Sequence, residues 1–228
     1  MRIAEIYKSI QGEGRLTGTP SVFVRASGCN LRCWFCDTPY ASWKPEGRDY
    51  AVDEVVAAVE EWECRHVVIT GGEPLLFAEM IPLSERLRDQ GRHVTFETAG
   101  TLYLPVACDL MSISPKLASS GPDREAYPHW SRRHQRQRLQ PKALLHLMER
   151  YDYQLKFVVD QPAELDEVAR FLETLPQEAS EHVQAMPQCR DAQELAEKAS
   201  WLVPACRDRG WTYCGRYHLE WFGAVRRT

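Results

Sequence analysis

Along the chain, apolar positions switch between two spacings: every second residue, and every third or fourth. Runs rich in β-branched and aromatic side chains, such as Ser21-Val22-Phe23-Val24-Arg25-Ala26-Ser27 and His66-Val67-Val68-Ile69-Thr70, predict strands. Strands are also predicted over 3–8, 93–97, 109–113, 153–159 and 181–186, with a last one over 212–219. Between them, Val52, Val55, Val56 and Val59 fall at i, i+3, i+4 and i+7, which predicts an amphipathic helix over 52–62. Further helices are predicted over 75–90, stopped by Gly91, over 142–150, over 163–174 with Leu165, Val168, Ala169 and Leu172 on one face, and over 191–208 around Pro204. Such alternation implies a mainly parallel sheet with helices outside it, open or curled into a barrel. Ligands gather at the carboxyl ends of such strands. There the stretches Cys29 to Cys36, Gly71 to Pro74, Glu97 to Gly100, Ser114 to Lys116 and Gln184 to Pro187 should converge. The polar, Arg-rich stretch over about 117–141, marked by Pro122, Pro128 and Pro141, breaks the alternation and reads as a long, partly mobile insertion.

At 228 residues, with no Gly/Ser-rich or Pro-rich linker, the chain reads as one domain. Runs such as Val67-Val68-Ile69 are far too short to cross a bilayer, so no membrane partner is expected. Residues 1–7 lack the apolar core of a secretory signal, and the expectation is a cytoplasmic protein whose eight cysteines are reduced. Cys64, Cys108, Cys189, Cys206 and Cys214 are scattered and read mainly as packing residues, with a second role open for Cys189. A net charge of −4 gives no reason to expect direct nucleic-acid binding. Arg132 to Arg138 is a local basic exception, read first as a solvated surface and second as an anion or partner contact.

The densest chemistry lies in Cys29-Asn30-Leu31-Arg32-Cys33-Trp34-Phe35-Cys36-Asp37-Thr38. Three thiols cannot all pair with one another as disulfides. Zinc would want a fourth ligand, yet the nearest histidine downstream is His66 and no second close Cys or His pair exists. A cubane iron–sulfur cluster takes one thiolate per iron, so three local thiolates leave one iron open to a small molecule. Three buried free cysteines are the competing reading, disfavoured by the interleaved Asn30, Arg32 and Asp37. Arg25 shares a strand face with Phe23; facing outward it is a surface charge, facing inward a guanidinium suited to a planar carboxylate. Gly71-Gly72-Glu73-Pro74 alone is also a plain turn.

The spacing C-x3-C-x2-C with Phe35 before the third cysteine, followed about forty residues on by Gly-Gly-Glu-Pro, resembles the radical S-adenosylmethionine (SAM) superfamily. That resemblance implies an open iron chelated by SAM, an aromatic against its adenine and a Gly-Gly-Glu segment at its amino group. Ile10-Gln11-Gly12-Glu13-Gly14, Phe23-Val24-Arg25, Cys36-Asp37-Thr38, Thr70 to Pro74, Glu97 to Gly100, Ser114-Pro115-Lys116 and Lys156-Phe157-Val158-Val159 together resemble the 7-carboxy-7-deazaguanine synthase family over nearly the whole chain. The resemblance implies a modified, incomplete (β/α)6 TIM-like barrel. It also implies a radical ring contraction of 6-carboxy-5,6,7,8-tetrahydropterin to 7-carboxy-7-deazaguanine, with loss of ammonia and regeneration of SAM, in queuosine biosynthesis. By the same resemblance Cys29, Cys33 and Cys36 would hold a 4Fe–4S cluster and Thr38 would help hold Mg2+. Ile10, Gln11, Gly12, Glu13, Arg25 and Thr70 would meet the pterin, with Arg25 on its carboxylate. Phe35, Cys36, Asp37, Gly72, Glu97, Ser114, Pro115 and Lys116 would contact SAM, with Gln184, Ala185, Met186 and Pro187 as the last piece of that site.

A flavodoxin or ferredoxin as electron donor and a homodimer are further implications. The sequence departs from the family pattern in Ile10, in the segment 184–189 and in a tail that lacks a terminal proline, which leaves substrate contacts from the tail open. A radical SAM activase for a glycyl radical protein would share the cysteines and the Gly-Gly-Glu turn, and a non-enzymatic metal or redox module is the third reading.

Overall fold

The computed structural model describes residues 1–227. Among them nine strands form one sheet: β1 (Arg2–Ile10), β2 (Pro20–Ala26), β3 (Arg48–Asp49), β4 (His66–Gly71), β5 (His93–Thr98), β6 (Leu110–Ile113), β7 (Tyr153–Val159), β8 (Val183–Pro187) and β9 (Thr212–Tyr213). The spatial order is β3-β1-β2-β4-β5-β6-β7-β8-β9. From β2 to β9 all neighbours are parallel, while β1 runs antiparallel to both β2 and β3. The helices are α1 (Val52–Glu60), α2 (Met80–Asp89), α3 (Pro128–Gln137), α4 (Pro141–Arg150), α5 (Glu164–Leu172), α6 (Ala192–Arg209) and α7 (Tyr217–Phe222).

Local chemistry sets the helix ends. At α1, Glu54 reaches back to accept the Ala51 N–H at 2.8 Å, one half of a capping box, and Asp53 and Glu54 complement the positive end of the helix dipole. Asp191 caps α6 by accepting the Glu194 N–H, and Gly210 ends it in the left-handed conformation at φ +69°.

Each parallel strand sorts its residues by parity. Val22, Val24, Val67, Ile69, Val94, Phe96, Met111, Ile113, Leu155 and Phe157 lie on the outer face, in one core with Val55, Val59, Leu83, Leu87, Leu147 and Leu202 of the helices. The opposite face holds a small apolar patch of Tyr7, Phe23 and Val68, and carries the buried polar side chains Thr70, Thr95, Ser112, Gln154, Lys156 and Gln184. The two ends of the sheet are bridged rather than paired. The loop after β1 reaches across, with Gly14 N to Cys214 Sγ at 3.2 Å, Arg15 N to Gln154 Oε1 at 2.9 Å and Tyr217 N to Gly12 O at 3.1 Å. The result is an incomplete barrel of the expected type, with six main parallel strands and helices outside.

Three stretches differ from their sequence reading. The strand predicted over 212–219 is the two-residue β9 followed by α7, because Arg216 and Tyr217 turn back to the β1 loop. Within 117–141 the chain is not irregular: it forms a 3-10 turn at Ala118–Ser120 and then α3, whose Ser131 and His134 are buried. The helix predicted over 75–90 begins as a separate turn at Pro74–Leu76, with α2 starting at Met80. Among the described residues no helix is long and apolar enough to cross a membrane.

Candidate active site

The cysteine loop leaves the carboxyl end of β2 and is clamped from two sides. Beneath it lies the turn after β4. Gly28 N donates to Ala41 O and Glu73 N donates to Gly28 O, both at 2.8 Å. A Cβ on Gly72 would come within 2.1 Å of Gly28 O and 2.5 Å of Ala41 O, so only glycine permits this approach of backbone to backbone. Glu73 is fully buried; its carboxylate accepts from Thr98 Oγ1 at 2.8 Å, Ala99 N at 2.9 Å and Leu75 N at 3.1 Å. Burial nevertheless raises its pKa above the usual carboxylate range. Glu73 thus ties the ends of β4 and β5 together.

Against the other side of the loop stands α3. His134 Nδ1 accepts the Arg32 N–H at 3.2 Å, and its Nε2 meets Ser120 Oγ at 2.9 Å. The Arg32 guanidinium lies over the Trp130 ring at 4.0 Å. Trp34 Nε1 donates to Ser119 O, and Trp43 Nε1 to Cys33 O, both at 3.0 Å. Burial, with Arg138 and Lys116 adding repulsion, lowers the His134 pKa to about 4, so this imidazole is neutral and able to accept.

Cys29, Cys33 and Cys36 are free thiols, each half-buried. Burial pushes the thiols of Cys29 and Cys33 up to about 12 and raises that of Cys36. Iron binding would have to displace those protons. Among the described residues no three His, Cys, Asp or Glu side chains gather closely enough to hold a single metal ion. A cubane spreads its thiolates over separate irons, so the triplet fits a cluster better than one tetrahedral ion.

The inner face of the sheet carries polar clusters, one of which leads to the loop. Arg25 points inward; its Nε donates to Glu5 Oε1 at 2.8 Å and its Nη2 to Tyr7 OH at 2.9 Å. Glu97 accepts from Thr70 Oγ1 at 2.7 Å and from Gln11 Nε2 at 3.1 Å, with Lys156 Nζ 4.0 Å away. Glu13 sits between Lys156 and Arg216, whose Nε is 3.1 Å from Glu13 Oε1. Arg216 also grips Asp37 of the cysteine loop. Burial works to raise the Glu13 carboxyl, but Lys156, Arg216 and His218 hold it well below the usual range. Burial works against the Lys156 ammonium too, and Glu13 and Glu97 raise its pKa regardless. Deeper in, Gln154 donates to Ser112 Oγ at 2.7 Å and accepts from Gln184 Nε2 at 3.1 Å, while Gln184 Oε1 is buried without a partner among the described residues.

Most residues singled out from sequence meet in this region. Gln11, Glu13, Arg25, Thr70 and Glu97 share the interior, and Gly12 packs so tightly on His218 that a Cβ would approach its Nδ1 to 2.6 Å. Thr38 Oγ1 lies 3.8 Å from Cys36 Sγ, Phe35 is half-buried against Trp34, and Asp37 is tied to Arg216. Ser114 and Lys116 face each other at 2.6 Å beside the buried Pro115. Ile10 stands apart, its side chain exposed at the far end of β1. Gln184 to Pro187 form the whole of β8 after Val183, with Gln184 paired beside Lys156 well inside the barrel. Cys189 is buried with Leu195 and Leu219, a packing residue. Sequence reading missed Glu5, Gln154, Arg216 and His218, and named Lys156 only within the motif Lys156-Phe157-Val158-Val159, without a role in the site.

Comparison with known proteins follows the same outline. Residues 23–118 match the radical SAM superfamily. A 7-carboxy-7-deazaguanine synthase from Rhodopirellula baltica is 46% identical over 230 residues, covering 99% of this chain and 88% of that protein. The chain belongs to the 7-carboxy-7-deazaguanine synthase family. A second member, from Halobacterium salinarum, is 42% identical over 227 residues, covering 95% of this chain and 88% of its own. The crystal structure of QueE from Escherichia coli shares the fold, with a TM-score of 0.70 at 24% identity over 94% of this chain and 92% of that one. Membership of this radical SAM family implies a 4Fe–4S cluster and SAM, and the cysteine loop has the donors for the first.

Proposed function

We propose that the chain converts 6-carboxy-5,6,7,8-tetrahydropterin to 7-carboxy-7-deazaguanine with release of ammonia, on the route to queuosine and related 7-deazapurines. The observation that carries this reading is the charged lining of the barrel, Arg25, Glu97, Glu13 and Lys156, which leads to the three thiols through the Arg216–Asp37 pair. A small, polar, carboxylated heterocycle suits such a lining; an apolar substrate would gain nothing from it. Cys29, Cys33 and Cys36 hold the cluster. When bound, the cluster and SAM supply the carbon radical that begins the rearrangement.

Arg25 binds the substrate carboxylate: Glu5 and Tyr7 take its Nε and Nη2, leaving Nη1 as a donor on a guanidinium already fixed in orientation. Gln11, Gly12 and Glu13 line the pterin edge with Thr70. Ile10 contributes through its backbone alone, since its side chain is exposed. Thr38 would offer one hydroxyl to Mg2+, a hard cation suited to oxygen donors such as a hydroxyl and a carboxylate. Phe35, Cys36, Asp37, Gly72, Glu97, Ser114, Pro115 and Lys116 line the SAM site. Gln184, with its unpartnered Oε1, lies nearer the pterin end of the interior, and Ala185, Met186 and Pro187 continue the wall towards SAM. A flavodoxin or ferredoxin supplies the electron, and the protein works in the cytoplasm as a homodimer.

The test is anaerobic reconstitution with iron and sulfide, then reductant, SAM, Mg2+ and the tetrahydropterin, with mass spectrometry of the products. The expected result is 7-carboxy-7-deazaguanine without net loss of SAM. Cleavage of SAM without that product would overturn the substrate and keep the superfamily.

A further inference from the structure

The arginine-rich stretch lies against the cysteine loop, and the function above leaves its outer face unused. On α3, His134 and Trp130 turn inward to the backbone and side chain of Arg32, between Cys29 and Cys33 in the chain. The other side carries Arg132 and Arg136, both exposed and one turn apart, with Arg124 on the preceding loop, while Arg133 lies over the Trp130 ring at 5.0 Å. Arg124, Pro128, Ser131, Arg132, Gln135 and Arg136 line a groove of about 510 Å3. Arg138 pairs with Glu167 at 3.5 Å, but among the described residues Arg124, Arg132, Arg133 and Arg136 have no carboxylate partner. Between Arg124 and Arg138 the only acid is Glu125. Like charges one turn apart on a helix repel and destabilise it, and in a chain of net charge −4 the cluster is not a by-product of a basic surface.

We propose that the outer face of α3 is the docking surface for a small acidic one-electron carrier protein, which delivers its electron to the cysteine loop through the width of one helix. This rests on reading that loop as the cluster site. A helix with its side chains is about 10–12 Å across, so a carrier seated on Arg132 and Arg136 comes close to the loop without entering the barrel. Complementary charge draws an acidic partner to this face and orients it. One electron leaves the reduced carrier and enters the cluster; no bond forms or breaks and no proton moves.

The test uses the reconstituted holoprotein without substrate, mixed anaerobically with a reduced acidic flavodoxin while cluster reduction is followed by its absorbance and paramagnetic signal. In wild type the rate should fall steeply as salt rises. The R132E/R136E variant should be reduced about 10-fold to 100-fold more slowly by flavodoxin at low salt, within the range that electrostatic steering provides. It should bind flavodoxin more weakly in calorimetry, and be reduced by dithionite at the wild-type rate. R132Q/R136Q removes charge without reversing it and should fall between the two. Flavodoxin reduction of R132E/R136E at the wild-type rate would overturn the proposal. So would an equal slowing with dithionite, because the substitutions would then be acting through the cysteine loop itself. Product formation driven by dithionite tests the synthase reading separately.

Discussion

On β7, Leu155, Phe157 and Val159 are fully buried against helices, while Gln154 and Lys156, of the opposite parity, face the interior among amides and ions. The same division runs through β2, β4, β5 and β8. On the outer face the hydrophobic effect stabilises the fold, by about 1.5–3 kcal/mol for each large apolar side chain buried. Aliphatic residues of similar volume can replace one another there at little cost. On the inner face desolvation works against Glu13, Lys156 and Arg216, and their mutual attraction roughly offsets it. The outer face therefore holds the barrel together, and the inner face is a set of buried charges that adds little to the stability of the fold.

Substitutions on the two faces should separate activity from stability. The largest effect belongs to Cys33→Ala: iron content after reconstitution should drop and product formation should fall to the detection limit, while the melting temperature of the metal-free chain barely moves. An active, fully loaded variant would break the assignment of the loop. Next comes Lys156→Met on the inner face. It should lower kcat/KM by about 100-fold, as loss of one preorganised charge does. Glu13 keeps its Arg216 partner in that variant, so the stability loss should stay below the ~3–5 kcal/mol of an orphaned buried charge. Leu155→Ala, one residue away on the outer face, should do the reverse: about 2–5 kcal/mol lost in urea unfolding, with kcat of the folded fraction within about twofold of wild type. If both variants lost activity and stability in the same proportion, the two faces would not be distinct.

The smallest effect concerns pH. Glu13 is held below the usual carboxylate range, so the unfolded chain takes up its proton first as pH falls. The stabilisation from this group is fully present above about pH 4.3, the ordinary glutamate value, and is lost as pH drops towards the folded value. Unfolding free energies measured between neutral and acid pH should show a shallower acid limb for Glu13→Gln than for wild type.

The outer face was legible in the sequence because hydrophobic alternation and i, i+3, i+4 spacing are local signals, and the strands with Val22, Val67 and Val94 fell where the pattern put them. The two-residue β3 was too short to show a pattern. Helix α3 was hidden because its buried positions are Ser131 and His134, polar residues that pack through hydrogen bonds rather than aliphatic surface. Residues 217–219 read as the end of a strand over 212–219, and only the turn back at Arg216 makes them the start of α7. Within the site, the cysteines and glycine turns announced themselves as clusters in sequence. The Arg216–Glu13 pair could not, since its members lie 203 residues apart and no local pattern records a contact of that range.

That pair has a consequence for how the protein is made. A chain leaves the ribosome amino end first, so Gly12, Glu13 and Gly14 emerge early; Glu13 can meet Lys156 once β7 is made, but the contacts to Cys214, Arg216 and Tyr217 wait for those later residues. Contacts of such long sequence separation form late and slowly. A nascent or prematurely terminated chain can build the cysteine loop and much of the outer core, yet it lacks the wall that closes the interior. Cluster insertion and substrate binding therefore have different earliest moments during synthesis, and a truncation before residue 214 should leave a protein able to acquire iron but with no closed chamber in which to use it.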